Sequence, residues 1–257
     1  MTGMTTTSRI ALITGANRGI GRSTARFLAR DGVDVILTYR THSDEAEEAV
    51  AEIRALGRNA VALPLDVGDV ASLDAFADAV RAALRTTWDR DTFDLLVNNG
   101  GMSRGGMIAD VTEEDVDALI DVHFKGVLFL TQKLLPLMAD GGSIVNLSSG
   151  LARVTFPQRA VYGSVKGAVE VLTRYLAAEL GPRGITANVI APGAVATDFS
   201  GGMLRDNPEH QERIASMTAL GRYAVADDIG GAIASLLDPR NRWITGQRIE
   251  VSGGLHL

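Results

Sequence analysis

Between residues 9 and 29 the chain passes from a short apolar run, through a turn with three glycines, into a helical pattern. Few folds accept that order. Residues 9–14 read Arg-Ile-Ala-Leu-Ile-Thr, a continuous apolar run with no polar alternation, which suits a strand buried on both faces. The turn reads Thr14-Gly15-Ala16-Asn17-Arg18-Gly19-Ile20-Gly21. Glycines let the backbone turn tightly and come close to a ligand, and the helix beyond offers unpaired N–H groups to a pyrophosphate. The spacing is Gly-x-x-x-Gly-x-Gly rather than the more familiar Gly-x-Gly-x-x-Gly. Taken alone, the glycines fit an ordinary tight turn equally well. The strand before and the helix after favour a phosphate site, with Gly15, Asn17, Arg18, Gly19, Ile20 and Gly21 as its candidates.

The alternation then repeats. Strand patterns at 33–39, 59–65, 94–97, 142–147, 184–191 and 247–251 are separated by helical patterns at 44–56, 69–86, 112–138, 160–179 and 227–237. Gly32 reads as a helix C-cap, and Thr112 with Asp115 as a capping box. Residues 194–217 are polar and carry Gly201-Gly202, so they read as a flexible substrate loop with a helical piece at 209–216. No composition break or repeat marks a second domain in 257 residues. The expectation is one α/β domain over 9–257, a Rossmann-type doubly wound parallel sheet with helices on both faces. Residues 1–8 are Thr-rich, lack the basic start and apolar block of a signal peptide, and are expected to be a disordered tail.

Composition narrows the function classes. The net charge is −6 and there is no long basic run, which argues against nucleic acid and anionic membrane as partners. No apolar run reaches membrane-spanning length. There are no cysteines, and His42, His123, His210 and His256 lack metal-ligand spacing, so no metal is expected and a cytoplasmic setting is compatible.

In a doubly wound sheet, ligands sit beyond the carboxyl ends of the strands. The glycine turn, Asp66-Val67, Asn99-Gly100, Ser149 and Pro192-Gly193 all follow strand ends and therefore converge on one crevice. The second strand ends Thr38-Tyr39-Arg40-Thr41, with no acid until Asp44. An acid there would bond a ribose hydroxyl and repel a 2′-phosphate, whereas Arg40, with Arg18, can pair with that phosphate. Both arginines also fit a solvated surface, but their positions flanking the adenosine pocket favour NADP(H) over NAD(H).

Tyr162 and Lys166 are four apart on a helical pattern and share a face. An ammonium about 4 Å from a phenolate, at an effective dielectric of about 20, stabilises it by on the order of 4 kcal/mol, roughly a thousandfold in acidity. On the pair alone, a core tyrosine beside a solvated lysine is the commoner arrangement.

Taken together, these motifs make the chain resemble the short-chain dehydrogenase/reductase family, from residue 9 to residue 255. The resemblance is carried by Thr14-Gly15-x-x-x-Gly19-Ile20-Gly21, Asp66-Val67, Asn98-Asn99-Gly100, Ser149, Tyr162-x-x-x-Lys166, Pro192-Gly193 with Thr197, and Ile244-Thr245-Gly246. It implies an NADPH-dependent oxidoreductase that reduces a carbonyl to a secondary alcohol, or the reverse. Ser149 would hydrogen-bond the substrate oxygen and Tyr162 would give it a proton. Lys166 would lower the tyrosine pKa and hold the nicotinamide ribose. Asp66 and Val67 would flank the adenine, Asn99 and Gly100 would line the groove, and Val195 and Thr197 would meet the nicotinamide amide. The family commonly forms tetramers through the helices at 112–138 and 160–180, so a homo-oligomer is expected, tetramer or dimer.

The chain departs from the family pattern at three points. His123 stands where the family usually has an asparagine that carries a water linking the lysine to solvent. A histidine there can titrate and join the relay, or simply pack. Gly101 replaces an alanine, expected at most to widen the groove slightly, and Ala219 replaces a proline with little consequence. Within the family the flavour resembles 3-oxoacyl-carrier-protein reductases, with Arg104, Lys125, Lys133 and Arg183 as the basic docking candidates for an acidic carrier. A ketone, sugar or small diketone fits as well. The competing readings are a sugar or polyol dehydrogenase of the same family and a non-catalytic dinucleotide-binding sensor or scaffold. An enoyl reductase of the superfamily would space its tyrosine and lysine more widely.

Overall fold

In the computed structural model, which describes residues 8–257, each apolar run becomes a parallel strand covered on both faces. The elements in chain order are β1 (Ile10–Ile13), α1 (Gly19–Arg30), β2 (Asp34–Tyr39), α2 (Ser43–Ala55), β3 (Ala60–Pro64), α3 (Leu73–Trp88) and β4 (Phe93–Asn98). They continue with α4 (Glu113–Ile120), α5 (Gly126–Leu134), β5 (Met138–Leu147), α6 (Ala160–Leu180) and β6 (Thr186–Pro192). The last are α7 (Met203–Asp206), α8 (Pro208–Ser216), α9 (Ala226–Leu236) and β7 (Arg248–Val251). The sheet order is β3-β2-β1-β4-β5-β6-β7, with every pairing parallel. The chain reverses its winding between β1 and β4, which opens a crevice beyond their carboxyl ends.

Successive strand residues point to opposite faces, and the core divides accordingly. Ala11, Ile13, Val35, Leu37, Leu95 and Val97 pack with α1, α2 and α9 on one side. Ile10, Leu12, Ile36, Leu96 and Ile144 pack with α3, α5 and α6 on the other. The expected tail lies outside the described residues except for Ser8, whose hydroxyl donates to the buried Asp34 at 2.6 Å and whose carbonyl accepts from Arg90.

Two elements differ from expectation. The helical pattern at 112–138 is not one helix. Thr112 caps α4 through its hydroxyl, which accepts from Asp115 N, but Asp121–Lys125 form a π turn before α5. A short 3₁₀ turn, Leu135–Leu137, then leads directly into β5, so Met138 is already in a strand. Apolar spacing does not distinguish a π turn from an α turn, and Pro136 forces the helix to end soon after it. The loop at 194–217 is more ordered than expected. It holds α7 as well as α8, after a turn in which Ser200, Gly201 and Gly202 all have positive φ, and Asn207 caps α8 through its side chain.

Candidate active site

At the head of β1, Thr14 organises the glycine turn. Its hydroxyl accepts from Gly100 N at 2.7 Å and from Asn99 N at 2.9 Å. The Asn99 amide donates to the Thr14 and Gly15 carbonyls at 2.8 and 3.1 Å. Asn99 therefore braces the turn from β4. Gly21 is required here, since a Cβ would stand 2.5 Å from the Gly15 carbonyl oxygen and 2.7 Å from the Asn99 amide nitrogen. Gly15 and Gly19 have φ of 61° and 57°, which glycine adopts without strain.

The first turn of α1 has no side-chain cap from Arg18 and no acidic residue. Its N–H groups thus face the crevice with nothing to compete for an anion. Arg18 is exposed at that end. Asn17 is buried and gives its amide to Glu45 at 2.8 Å, so only its backbone belongs to the turn. Arg40 extends from the end of β2, largely exposed and 3.9 Å from Asp66. Asp66 also accepts from Gly68 N, and Val67 packs at the edge of the α3 core. The set fits a dinucleotide: a bare helix N-terminus, glycines that leave no room for side chains, and an exposed arginine at the second strand end.

Across the groove, Pro192 ends β6 and Gly193 N donates to the Val251 carbonyl at 3.1 Å. Val195 bridges to Ala224. The Thr197 methyl would sit 3.7 Å from a Cβ on Gly19, so the glycine turn and the loop after β6 face each other. Ile20 packs on the α1 side of the core.

Ser149, Tyr162 and Lys166 meet beside this groove. Lys166 is 5 % exposed, its ammonium donates to the Leu147 carbonyl at 2.7 Å, and it lies 5.6 Å from the centre of the Tyr162 ring. Burial pushes the lysine down to about 7 and pushes the Tyr162 phenol up from its ordinary value. The Arg159 charge and the Ser149 hydroxyl pull the phenol the other way, but less. The ammonium stands over the ring face and donates to a carbonyl, and the largest influence on the phenol is its own burial. Ser149 is itself braced. Its hydroxyl accepts from Leu151 N at 3.2 Å, while Ser148 donates to Glu170 at 2.6 Å and Glu170 also binds Arg248 at 2.7 Å.

His123 comes in from the π turn. It is 1 % exposed, and burial, with the Lys166 charge adding to it, lowers its pKa to about 3. It is therefore held neutral near pH 7, which favours the packing alternative over the titrating one.

Each basic docking candidate has an acidic neighbour on the surface. Arg104 is held by Glu114 and Asp115, Lys125 by Asp121, Lys133 by Asp74 and Arg183 by Asp140. Arg183 also binds the carbonyls of Leu135 and Met138, at the end of β5 opposite the site. The cation that does bear on the phenol is Arg159, just before α6. It donates to Ser103 at 2.8 Å and has no ion pair among the described residues. Its position three residues before Tyr162 was the available signal. Phe199 was also missed; its ring lies 6.2 Å from that of Tyr162. No group of metal-ligating side chains occurs among the described residues.

A family model described as Enoyl-(Acyl carrier protein) reductase matches residues 15–256. The 3-oxoacyl-[acyl-carrier-protein] reductase FabG of Staphylococcus aureus is 36 % identical over 253 residues, covering 97 % of this chain and 99 % of that one. Among solved structures, the promiscuous reductase LugOII, which catalyses keto-reduction at C1 during lugdunomycin biosynthesis, shares 37 % identity and a TM-score of 0.92 over 97 % of this chain and 98 % of that one. The angucycline C-6 ketoreductase LanV with bound NADP shares 35 % identity and a TM-score of 0.91 over 96 % and 95 % of the two chains.

Proposed function

The chain belongs to the short-chain dehydrogenase/reductase family, and from that premise we propose that it is an NADPH-dependent ketoreductase acting on a small, largely apolar ketone. The observation that carries this reading is the meeting of Ser149, Tyr162 and Lys166 beside the bare N-terminus of α1. Gly15, Gly19 and Gly21 leave room for the pyrophosphate, and Arg40 with Arg18 takes the 2′-phosphate. Asp66 and Val67 flank the adenine, and Pro192, Gly193, Val195 and Thr197 close the nicotinamide end. The bound cofactor supplies the hydride.

Ser149 and Tyr162 hold the substrate oxygen, and Tyr162 Oη gives it the proton as negative charge develops. Lys166 binds the nicotinamide ribose and restores the phenol's proton. The buried phenol is protonated at neutral pH, as a proton donor must be. The four-residue spacing of Tyr162 and Lys166 favours keto- over enoyl-reduction. The ion-paired state of Arg104, Lys125, Lys133 and Arg183 disfavours a carrier-protein substrate, and Phe199 over the phenol favours an apolar ketone over a sugar. The exposed Val171 and Tyr175 on α6 support a homo-oligomer built on that helix, and the protein is read as cytoplasmic.

The test is NADPH oxidation with a panel of cyclic and aromatic ketones, acyl thioesters and sugars. Tyr162→Phe keeps NADPH binding and lowers kcat by about 10²–10⁴, the usual worth of a positioned proton donor. A Tyr162→Phe enzyme turning over at the wild-type rate would overturn the assignment.

A further inference from the structure

Two residues with no assigned role meet at one point beneath Tyr162. Gly101 opens the segment that leads from β4 toward α4, and His123 lies in the π turn between α4 and α5. A Cβ built on Gly101 would stand 2.7 Å from His123 Cε1 and 3.5 Å from its Nδ1. The groove is therefore not widened at Gly101, because the imidazole takes up the space. The ring has nowhere to retreat. It is 1 % exposed and meets the Tyr162 ring edge-on, with centroids 5.3 Å apart and planes at 87°. Its Nε2 lies 2.7 Å from the Met102 carbonyl.

Nε2 faces the Met102 peptide, 2.7 Å from its carbonyl and 3.3 Å from its N–H, and the shorter contact favours the proton on Nε2 with Nδ1 as an acceptor. Nδ1 has no partner among the described residues. The protein's own hydrogen bonds to the ring amount to the Met102 peptide alone, so they give no specific reason for a histidine here. A proton path through the ring also ends at a peptide carbonyl, which does not pass protons on. What the ring does provide is contact, with Tyr162 on one edge and the Met102-Ser103 wall on the other. Ser103 in turn accepts from Arg159 at the start of α6.

We propose that Gly101 and His123 are a size-matched pair whose role is to position Tyr162: the missing side chain at 101 makes room for the imidazole, and the imidazole sets the tilt of the phenol ring. The inference rests on Tyr162 being the proton donor. Reacting groups tolerate little error, and a displacement of about 1 Å costs on the order of a hundredfold in rate. His123 is a positioning residue in this account, since it acts through Tyr162.

The experiment is a double-mutant cycle of Gly101→Ala, His123→Asn and the pair, reading kcat, the NADPH dissociation constant by fluorescence, and the melting temperature. Gly101→Ala should lower kcat by about tenfold or more, with the NADPH constant changed by less than about twofold. In the double variant, where asparagine vacates the space, kcat should return to within about threefold of His123→Asn alone. Wild-type kcat in Gly101→Ala, or losses that simply multiply in the double variant, would overturn the proposal. If Gly101→Ala does not fold, folding of the double variant still reports the size match. His123→Phe then carries the catalytic part, because it keeps a ring of similar size against Tyr162 and removes the tie to Met102. A kcat within about threefold of wild type supports positioning by the ring, and a kcat lowered by about tenfold or more, with NADPH affinity and melting temperature intact, refutes it by showing that the ring nitrogens are what matter. A Tyr162→Phe enzyme that stays active would remove the catalytic reading while leaving the coupling in melting temperature, so the two failures are distinguishable.

Discussion

His123 should make the fold acid-sensitive in a way that one substitution removes. In the folded protein its pKa is lowered to about 3, mainly by burial and secondarily by the charge on Lys166. In the unfolded chain it returns to about 6.5. Between those values the unfolded state binds a proton that the folded state does not, so stability rises with pH and falls as the solution is acidified. At pH 5 this proton stabilises the unfolded state by about 2 kcal/mol, and at pH 7 by only about 0.2 kcal/mol. The histidine therefore contributes about 2 kcal/mol of the stability lost between pH 7 and pH 5. The assay is urea denaturation of wild type and His123→Asn at both pH values. Comparing the two proteins cancels every other carboxylate and histidine to first order. Relative to wild type, His123→Asn should gain about 2 kcal/mol on going from pH 7 to pH 5, whatever its absolute stability. An equal difference between the two proteins at both pH values would show that His123 titrates normally in the folded state, and the burial argument would fail.

Thr14→Val should destabilise the fold by about 1–3 kcal/mol by removing the acceptor of Gly100 N, and it should weaken NADPH binding. Urea denaturation and fluorescence titration check it, and an unchanged midpoint would refute the bracing role. Arg40→Asp should reduce the preference for NADPH over NADH by about tenfold or more, the worth of one charge-assisted bond. Equal ratios of kcat/KM for the two cofactors in variant and wild type would remove Arg40 as the phosphate partner. Alcohol oxidation needs the phenolate whereas reduction needs the phenol, so burial of Tyr162 predicts an oxidation rate that rises through the alkaline range while reduction stays flat near neutrality. Rates in both directions across pH decide it, and an oxidation rate that is flat there would refute it.

The strands were legible in the sequence because their burial is uniform. A strand covered on both faces needs no polar residue, and Ile10–Ile13 has none while Asp34–Tyr39 keeps an apolar centre at Val35–Leu37. The crevice was legible for the same reason, since strand ends in a parallel sheet all open on one side. The irregular backbone was not. Residues 121–125 keep the apolar spacing of the helices around them, and nothing in a residue list reports which carbonyl an N–H chooses. The loop at 194–217 looked featureless because its order comes from short-range ties, such as Asn207 capping α8 and Gln211 donating to the Leu204 and Arg205 carbonyls, rather than from an apolar stripe. The pairing of the docking cations was not legible, because a sequence shows charges without their partners. Each of the four has a carboxylate within salt-bridge distance, whereas Arg159, which has none among the described residues, was passed over.

The tyrosine–lysine pair shows why spacing and electrostatics must be argued together. Four residues on a helix place Lys166 and Tyr162 on one face, but a Coulomb estimate made from spacing assumes that both ions are already present. In the fold both are buried, and each ion must first be taken from water. That cost acts on the ammonium as strongly as on the phenolate, so the lysine falls to about 7 while the phenol rises. Attraction between the two is large only if both stay charged, and burial removes the charge that the attraction needs. On the proposed mechanism the pair is a proton donor beside a lysine poised between its two protonation states near neutral pH. Such a lysine passes a proton to the phenolate left by each reduction without first overcoming a strongly basic pKa, so the burial that opposes a simple Coulomb argument makes it a better source of the next proton.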